Sequence, residues 1–170
     1  AVYEREHPEG FRWLHESFGT NWRMIEMQAA IGRIQLKRMP DWHKNRLSNA
    51  NSIWIAAKQC KGLRVPVMPD YIEHAAYKCY VFVKGDVGLR DKMMMEINEK
   101  GVPCYSGSCS EVYLEKAFDN TGFRPKERLS VAKELGETSL MFLVHPTLTQ
   151  EEIQKTCDVL TEVALANYDG

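Results

Sequence analysis

The sequence lacks the features that mark membrane-spanning and secreted proteins. No apolar run approaches the roughly 18 residues that a membrane-spanning helix needs, and residues 1–5 contain no apolar segment of the kind found in signal peptides. Neither sign of charge dominates, because 22 basic and 23 acidic side chains leave a net charge of −1. We therefore expect a cytoplasmic protein that binds neither nucleic acid nor a membrane.

Patterns typical of metal or disulfide sites are also missing. The five cysteines are odd in number and include no C-x-x-C pair, and no two histidines have the i, i+4 spacing of helical metal ligands. We expect no metal site and cysteines that are buried as small apolar residues; a redox or zinc protein is the alternative. A thiol–imidazole site of Cys104, Cys109 and His145 is disfavoured, because no Asn or Asp stands in view to orient the imidazole.

Two further absences concern catalysis and nucleotide binding. The sequence contains no G-x-G-x-x-G motif and no G-x-S-x-G nucleophile elbow. Material for a core is ample, since 44% of the 170 residues are hydrophobic and a chain of this length buries roughly 70% of its surface on folding. One globular domain, with or without an arm, is therefore expected.

Two neighbouring apolar stripes after residue 20 predict a helix that is buried on two sides, within a core or against another subunit. Pro40 is expected to stop or kink this helix at Met39. A second helix is predicted from about residue 41 to near residue 62. The stripes consist of Met24, Met27, Ile31 and Ile34, and of Ile25, Ala29, Gly32 and Leu36.

Strands and helices alternate through the rest of the chain. Gly101 and Gly136 are expected to end the helices that precede them, and Thr149 with Glu152 forms a capping box for the last helix. This order favours an α/β or α+β fold whose three- to four-stranded sheet is covered by helices, mostly on one face. The predicted strands are 77–83, 102–105 and 139–144, and the predicted helices are 89–100, about 111 onward, 127–135 and 150–166.

Two local features are candidates for chemistry. Asn21 and Arg23 stand at the start of the first helix, where free N–H groups, an amide and a guanidinium together suit an anion. The alternative is that Asn21 caps the helix and Arg23 pairs with Glu26. His145 stands at the carboxyl end of an apolar strand, a place that often lines sites in α/β folds; a hydrogen-bonded structural role is its alternative.

Three segments together resemble one enzyme family. Residues 18–36 resemble the signature G-x-N-[YW]-R-M-x-E-x-Q-A-A-x-G-x-x-Q-L, and residues 106–118 and 134–149 follow in the family's order and spacing. The family is that of the DegT/DnrJ/EryC1/StrS sugar-nucleotide aminotransferases, which use pyridoxal phosphate (PLP) and have the type I fold of aspartate aminotransferase. The resemblance covers about residues 10–166.

The resemblance implies that the chain is the C-terminal part of such an enzyme. Family members are longer, and the lysine that binds PLP covalently lies in their N-terminal domain. None of the lysines here stands in a matching context, so no catalytic residue is assigned and the chain alone is expected neither to bind PLP nor to be active. On this interpretation residues 1–20 are an arm from the end of the large domain, 21–62 the connecting helices and 63–170 the small C-terminal domain.

The resemblance also implies roles for five residues. Asn21 matches the asparagine that reaches the PLP phosphate of the partner subunit in a homodimer, and Arg23 beside it is expected to help bind the cofactor or a diphosphate. His145 matches a histidine at the substrate site, while Tyr105 and Ser106 are expected to line the entrance for the nucleotide sugar.

The implied reaction moves an amino group from glutamate to a keto-sugar nucleotide, for a cell-surface polysaccharide or an antibiotic sugar. The alternative is a stand-alone, non-catalytic module for sugar-nucleotide binding or dimerisation. A chain without the large domain is also expected to expose apolar side chains around Trp13, Phe18 and Met24 and to self-associate.

Overall fold

Four short strands form one antiparallel sheet. In the computed structural model, which describes Phe18 and residues 24–168, their order across the sheet is β1-β2-β4-β3. Each neighbouring pair is antiparallel, and the predicted three- to four-stranded sheet is confirmed. The strands are β1 (Leu63–Arg64), β2 (Cys79–Val83), β3 (Cys104–Tyr105) and β4 (Ser139–Phe142).

A single helix, α1 (Glu26–Lys58), takes the place of the two helices predicted on either side of Pro40. The expected break at Pro40 is wrong. Proline has no N–H to donate to the carbonyl of Leu36, but both residues are exposed, so water can bind that carbonyl. Packing fixes the second half of the helix, whose buried residues are Ala50, Ile53, Trp54 and Ala57.

The first half of α1 is exposed rather than buried on two sides. Met24 is 73% exposed and Met27 70% exposed, and the stripe continues with exposed Ile31 and Ile34. Burial within the core of this chain was therefore a wrong expectation, and burial against another subunit stays a prediction. Phe18 is exposed as expected, although its ring lies 5.2 Å from that of Phe118. Trp13 lies outside the described residues.

The core lies between the sheet and three helices. The second half of α1, α2 (Val87–Glu99) and α4 (Gln150–Tyr168) cover one face of the sheet. This arrangement confirms that helices cover mostly one face. Removing so many apolar side chains from water provides the main stabilising contribution to the fold. Fully buried members of this core include Val81, Leu140, Phe142, Met93, Ile97 and Leu160.

Two predicted local signals at helix ends are confirmed. The backbone N–H of Thr149 donates to Oε2 of Glu152 at 2.8 Å, and the N–H of Glu152 donates to Oγ1 of Thr149 at 3.2 Å, which is the predicted capping box. Gly101 follows α2 with a φ of +75°, the left-handed conformation that glycine adopts at least cost.

The segment between β3 and β4 differs from the prediction. Helix α3 (Ser130–Thr138) runs through Gly136 instead of ending there. A Cβ at Gly136 would overlap the Ser110 side chain, so this glycine serves a close contact rather than a helix end. The helix expected from about residue 111 is replaced by two 3₁₀ turns, Val112–Leu114 and Lys116–Phe118.

The described part of the chain bears on the predictions about cysteines, metal sites and membrane spans. Four of the five cysteines are buried, as predicted, whereas Cys109 is only half-buried. Within residues 24–168 no cluster of three histidine, cysteine or acidic side chains could hold a metal ion. Nor does any described helix have the length and apolar character needed to cross a membrane.

Candidate functional site

Three of the five predicted site residues lie within the described part of the chain. Tyr105 and Ser106 stand at the end of β3, and His145 stands three residues after β4. Asn21 and Arg23 lie outside the described residues. Their assignments as cofactor-binding residues therefore stay predictions.

Tyr105 lies on the sheet face opposite the helical core. It pairs with Met141, which pairs on its other side with Tyr80, so these three side chains form one row across the sheet. Tyr80 and Tyr105 are half-buried. Ser106 is buried, and its carbonyl accepts a hydrogen bond of 2.7 Å from the Ser139 hydroxyl. Ser106 therefore anchors its segment to β4, while the Tyr105 ring remains partly accessible.

The loop of residues 106–110, called the serine loop below, is held by β2. Gly107 adopts a φ of +98° and lies against the ring of Tyr80. The N–H of Ser108 donates to the Tyr80 hydroxyl at 3.3 Å, and Nζ of Lys78 donates to Oγ of Ser108 at 2.9 Å. The sequence analysis missed Lys78 and Tyr80. Their i, i+2 spacing on a predicted strand was the available signal, because it places both on one face.

A charged cluster around the buried Glu111 fixes the far end of the serine loop. Arg128 donates to both carboxylate oxygens of Glu111, which is almost completely buried, and also contacts Glu137. Glu111 Oε1 accepts a further hydrogen bond of 2.6 Å from the Tyr113 hydroxyl. Hydrogen bonding from Arg128, and then from Tyr113, holds the pKa of Glu111 below its usual range. Glu111 is therefore a structural anion rather than a proton donor.

Arg124 stabilises the 3₁₀ turns that follow. Its guanidinium donates to the carbonyls of Tyr113, Leu114 and Glu115 at 2.7 to 3.0 Å and pairs with Asp119 at 2.6 Å. Carbonyls that accept from a side chain need no helical N–H partner. This explains why the segment forms short turns instead of the predicted helix.

The thiols of this region are unsuited to nucleophilic catalysis. Burial, together with a hydrogen bond to Glu115, raises the pKa of Cys109 to about 12. Burial likewise raises the pKa of Cys104 to about 12. Thiolate is the reactive form, so the structure agrees with the sequence in disfavouring a thiol–imidazole site.

His145 occupies a second location, in the segment that leads from β4 to α4. Its Nδ1 lies 2.9 Å from Oγ1 of Thr147, and its carbonyl accepts from the amide of Asn49 at 3.4 Å. It lines a cavity of about 350 Å³ together with residues that include Pro103 and Leu143. Four residues of extended chain separate it from Met141, the partner of Tyr105, which corresponds to about 13 Å. His145 and Tyr105 therefore do not touch, but an extended ligand could reach both.

A groove beside α1 is a further feature that the sequence analysis missed. It encloses about 850 Å³, and Trp42, Arg46 and Tyr77 are among its lining residues. His43 Nε2 lies 2.9 Å from the carbonyl of His74, and Arg46 donates to the carbonyl of Tyr77 at 3.4 Å. These contacts tie α1 to the segment before β2.

The described lysines do not suit covalent attachment of PLP. Such a lysine must be shielded from water to be a nucleophile. Among the described lysines all but Lys78 are exposed, and Lys78 is bound to Ser108 at the edge of the sheet. The described part of the chain therefore offers no lysine that fits the cofactor's aldehyde.

Comparison with known proteins gives concordant matches. The sequence pattern described as the DegT/DnrJ/EryC1/StrS aminotransferase family matches residues 4–161. The chain is 26% identical to the erythromycin biosynthesis sensory transduction protein EryC1 of Saccharopolyspora erythraea, over 82% of this chain and 37% of that protein. It is 24% identical to the dTDP-3-amino-3,4,6-trideoxy-alpha-D-glucose transaminase of Streptomyces venezuelae, over 90% of this chain and 39% of that protein.

The sequence identity to one solved structure is higher than to these two proteins. The X-ray structure of the aminotransferase from Psychrobacter cryohalolentis superposes with a TM-score of 0.79 at 56% sequence identity, over 100% of this chain and 46% of that one. The chain thus spans less than half the length of each of these three relatives.

Proposed function

The chain belongs to the DegT/DnrJ/EryC1/StrS aminotransferase family, and from this membership we propose that it is the C-terminal part of a PLP-dependent sugar-nucleotide aminotransferase. The observation that carries the proposal is the family match over residues 4–161 in a chain that covers only 37–46% of its relatives. The enzyme moves an amino group from glutamate to a keto-sugar nucleotide.

The pathway, location and assembly belong to the same proposal. The Streptomyces venezuelae relative is by name a transaminase of a dTDP-linked amino sugar, which supports a sugar nucleotide as substrate. We place the enzyme in the cytoplasm, as a homodimer that serves antibiotic-sugar or cell-surface polysaccharide synthesis. In this enzyme residues 1–20 end the large domain, 21–62 connect the domains and 63–170 form the small domain.

Residue roles follow from the same proposal. Bound PLP supplies an electron sink for amino transfer. Asn21 and Arg23 bind its phosphate from the neighbouring subunit, while His145, Tyr105 and Ser106 contact the sugar nucleotide. The geometry that supports these last roles is the partial exposure of Tyr105 at the end of β3 and the cavity at His145, which is also lined by Glu152 and Lys155 of α4. Ser106 contributes backbone, since its side chain is buried.

The test asks whether this chain by itself binds PLP covalently. The purified chain is mixed with PLP, its visible absorbance is recorded, and borohydride-reduced protein is mapped by mass spectrometry. We expect no specific covalent attachment. Stoichiometric attachment at one lysine would show that the catalytic lysine lies within this chain and would overturn the proposed division. In parallel, the full-length enzyme is expected to transfer the amino group of glutamate.

A non-catalytic module is the competing function, and one observation favours it. The sheet and the second half of α1, within residues 50–168, share one hydrophobic core, so this part of the chain can fold without catalysing a reaction. A module predicts that no full-length form transfers amino groups, although the chain still binds a sugar nucleotide in titration calorimetry.

A further inference from the structure

Lys78 stands beside the serine loop, at the sheet face opposite the helical core. It stands immediately before β2, two residues from Tyr80, whose row contains Met141 and Tyr105. β2 and β4 are antiparallel. The step backward along the chain from Tyr80 to Lys78 therefore points in the same direction as the step forward from Met141 to His145. Lys78 therefore lies between Tyr105 and His145 along the sheet, about 7 Å beyond the tyrosine row.

The Lys78 ammonium has spare hydrogen-bonding capacity. Its Nζ donates to the Ser108 hydroxyl at 2.9 Å and lies 5.7 Å from the centroid of the exposed Tyr77 ring. No carboxylate of the described residues forms an ion pair with it. A lysine has three N–H donors, so two remain for a ligand. Among the described residues no carboxylate compensates this charge, which favours an anion.

The surroundings of Lys78 are polar and pre-organised. The serine loop cannot shift freely, because Gly107 lies against the Tyr80 ring and the Ser108 N–H is bound to the Tyr80 hydroxyl. Glu111, the acid at the far end of the loop, is already neutralised by Arg128. An anion that approaches Lys78 therefore meets its ammonium and the Ser108 hydroxyl, while the two acids that contact the loop, Glu111 and Glu115, are both buried.

Resting on the proposed aminotransferase function, we propose that Lys78 binds the diphosphate of the sugar nucleotide. The diphosphate then lies beside the serine loop, with Tyr105 and His145 as contacts for other parts of the ligand. The Ser108 hydroxyl accepts from the ammonium and orients it. Lys78 is thus a substrate-binding residue that determines affinity for the nucleotide part, with no part in proton transfer.

Three variants test this role in the full-length enzyme. Lys78→Met removes the charge, whereas Lys78→Arg keeps it. Lys84→Met is the matched control, since Lys84 follows the same strand but binds the carbonyl of Lys61. Calorimetry measures the binding of UDP and of dTDP. We expect Lys78→Met to weaken binding of the nucleotide that the wild type prefers by about tenfold or more. Lys78→Arg should keep most of the affinity, and Lys84→Met all of it.

A second measurement separates this proposal from the proposed function. Amino transfer from glutamate is measured in the wild type and in the Lys84→Met control, and its rate should be the same in both. If that transfer is absent from the wild type, the aminotransferase proposal fails. If transfer proceeds but Lys78→Met binds both nucleotides as tightly as the wild type, or the wild type binds neither, the assignment of Lys78 is wrong. Thermal unfolding of each variant shows whether a loss reflects misfolding.

Discussion

Gly107 lies so close to Tyr80 that a Cβ at position 107 would stand 2.5 Å from Cε1 of the tyrosine ring. The backbone at Gly107 also has a φ of +98°, which side-chain-bearing residues rarely adopt. Two independent constraints therefore select glycine here. The positive φ and the contact with Tyr80 both act on the loop that carries Ser108 towards Lys78. A change at Gly107 should therefore affect both the stability of the sheet and the proposed substrate entrance.

The first prediction concerns this contact. We expect Gly107→Ala to lower the free energy of unfolding by about 2 to 4 kcal/mol, because the strained backbone and the overlap with Tyr80 both add cost. Gly122→Ala is the matched control, since Gly122 has a φ of +75° but open space around it, and should cost only about 1 kcal/mol. Urea denaturation measures both. Equal losses would mean that the Tyr80 contact contributes nothing.

The second prediction concerns the anchor of the serine loop. Arg128→Met leaves the carboxylate of Glu111 buried without its cation, and we expect a loss of about 3 kcal/mol in the free energy of unfolding. Lys92→Met provides the control, because Lys92 forms an exposed i, i+4 pair with Glu96 worth about 0.5 kcal/mol or less. Should chemical denaturation show the same small loss for both, the Glu111 cluster is not a stabilising element.

The third prediction is a pH dependence that arises from Glu111. Hydrogen bonding from Arg128 lowers the pKa of Glu111 in the folded protein relative to its value of 4.5 when unperturbed. The resulting stabilisation is present above pH 4.5 and is lost as the pH falls through the lowered pKa. We expect the wild type to lose more stability between pH 6 and pH 3 than Glu111→Gln does. Denaturant melts at a series of pH values measure this difference.

Glu134→Gln is the control for this pH series. Glu134 pairs with Arg64 on the surface, where its side chain is 60% exposed, and water screens such pairs. The variant should follow the wild-type pH dependence. A Glu111→Gln curve that parallels the wild type would contradict the assignment of this acid-sensitive stability to Glu111.

Features that depend on residues close together in the sequence could be predicted, whereas features that depend on distant residues could not. The capping box of Thr149 and Glu152 spans four residues, and the apolar run 140–144 begins within β4, so local patterns sufficed for both. β1 was missed, because the two residues Leu63–Arg64 are too short to show any period. The expected break at Pro40 failed because packing of the second half of α1 overrode a local preference.

The candidate site depended on interactions between distant residues. Lys78 and Ser108 are separated by 30 residues, and Arg124 reaches back to the carbonyl of Tyr113 over 11 residues. No local spacing encodes such contacts. The family resemblance indicated Tyr105, Ser106 and His145, but the register of β3 on β4 was needed to place Tyr105 opposite Met141, four residues before His145.

The last prediction concerns the exposed stripe on the first half of α1. A contiguous apolar surface of this kind is usually covered by another protein surface. We expect the purified chain to self-associate and Ile31→Glu to weaken that association by about tenfold or more, because it would bury a charge at the contact. Sedimentation velocity over a range of concentrations measures the effect.

Ile55→Glu is the matched control for this experiment. Ile55 lies on the same helix and is 62% exposed, against 57% for Ile31, but it belongs to the half of α1 that packs on the sheet. A charge at Ile55 should therefore leave association unchanged. Equal weakening by both variants would show that association spreads over the whole helix. A monomeric wild type would show that the stripe tolerates water, and the expected self-association would then be wrong.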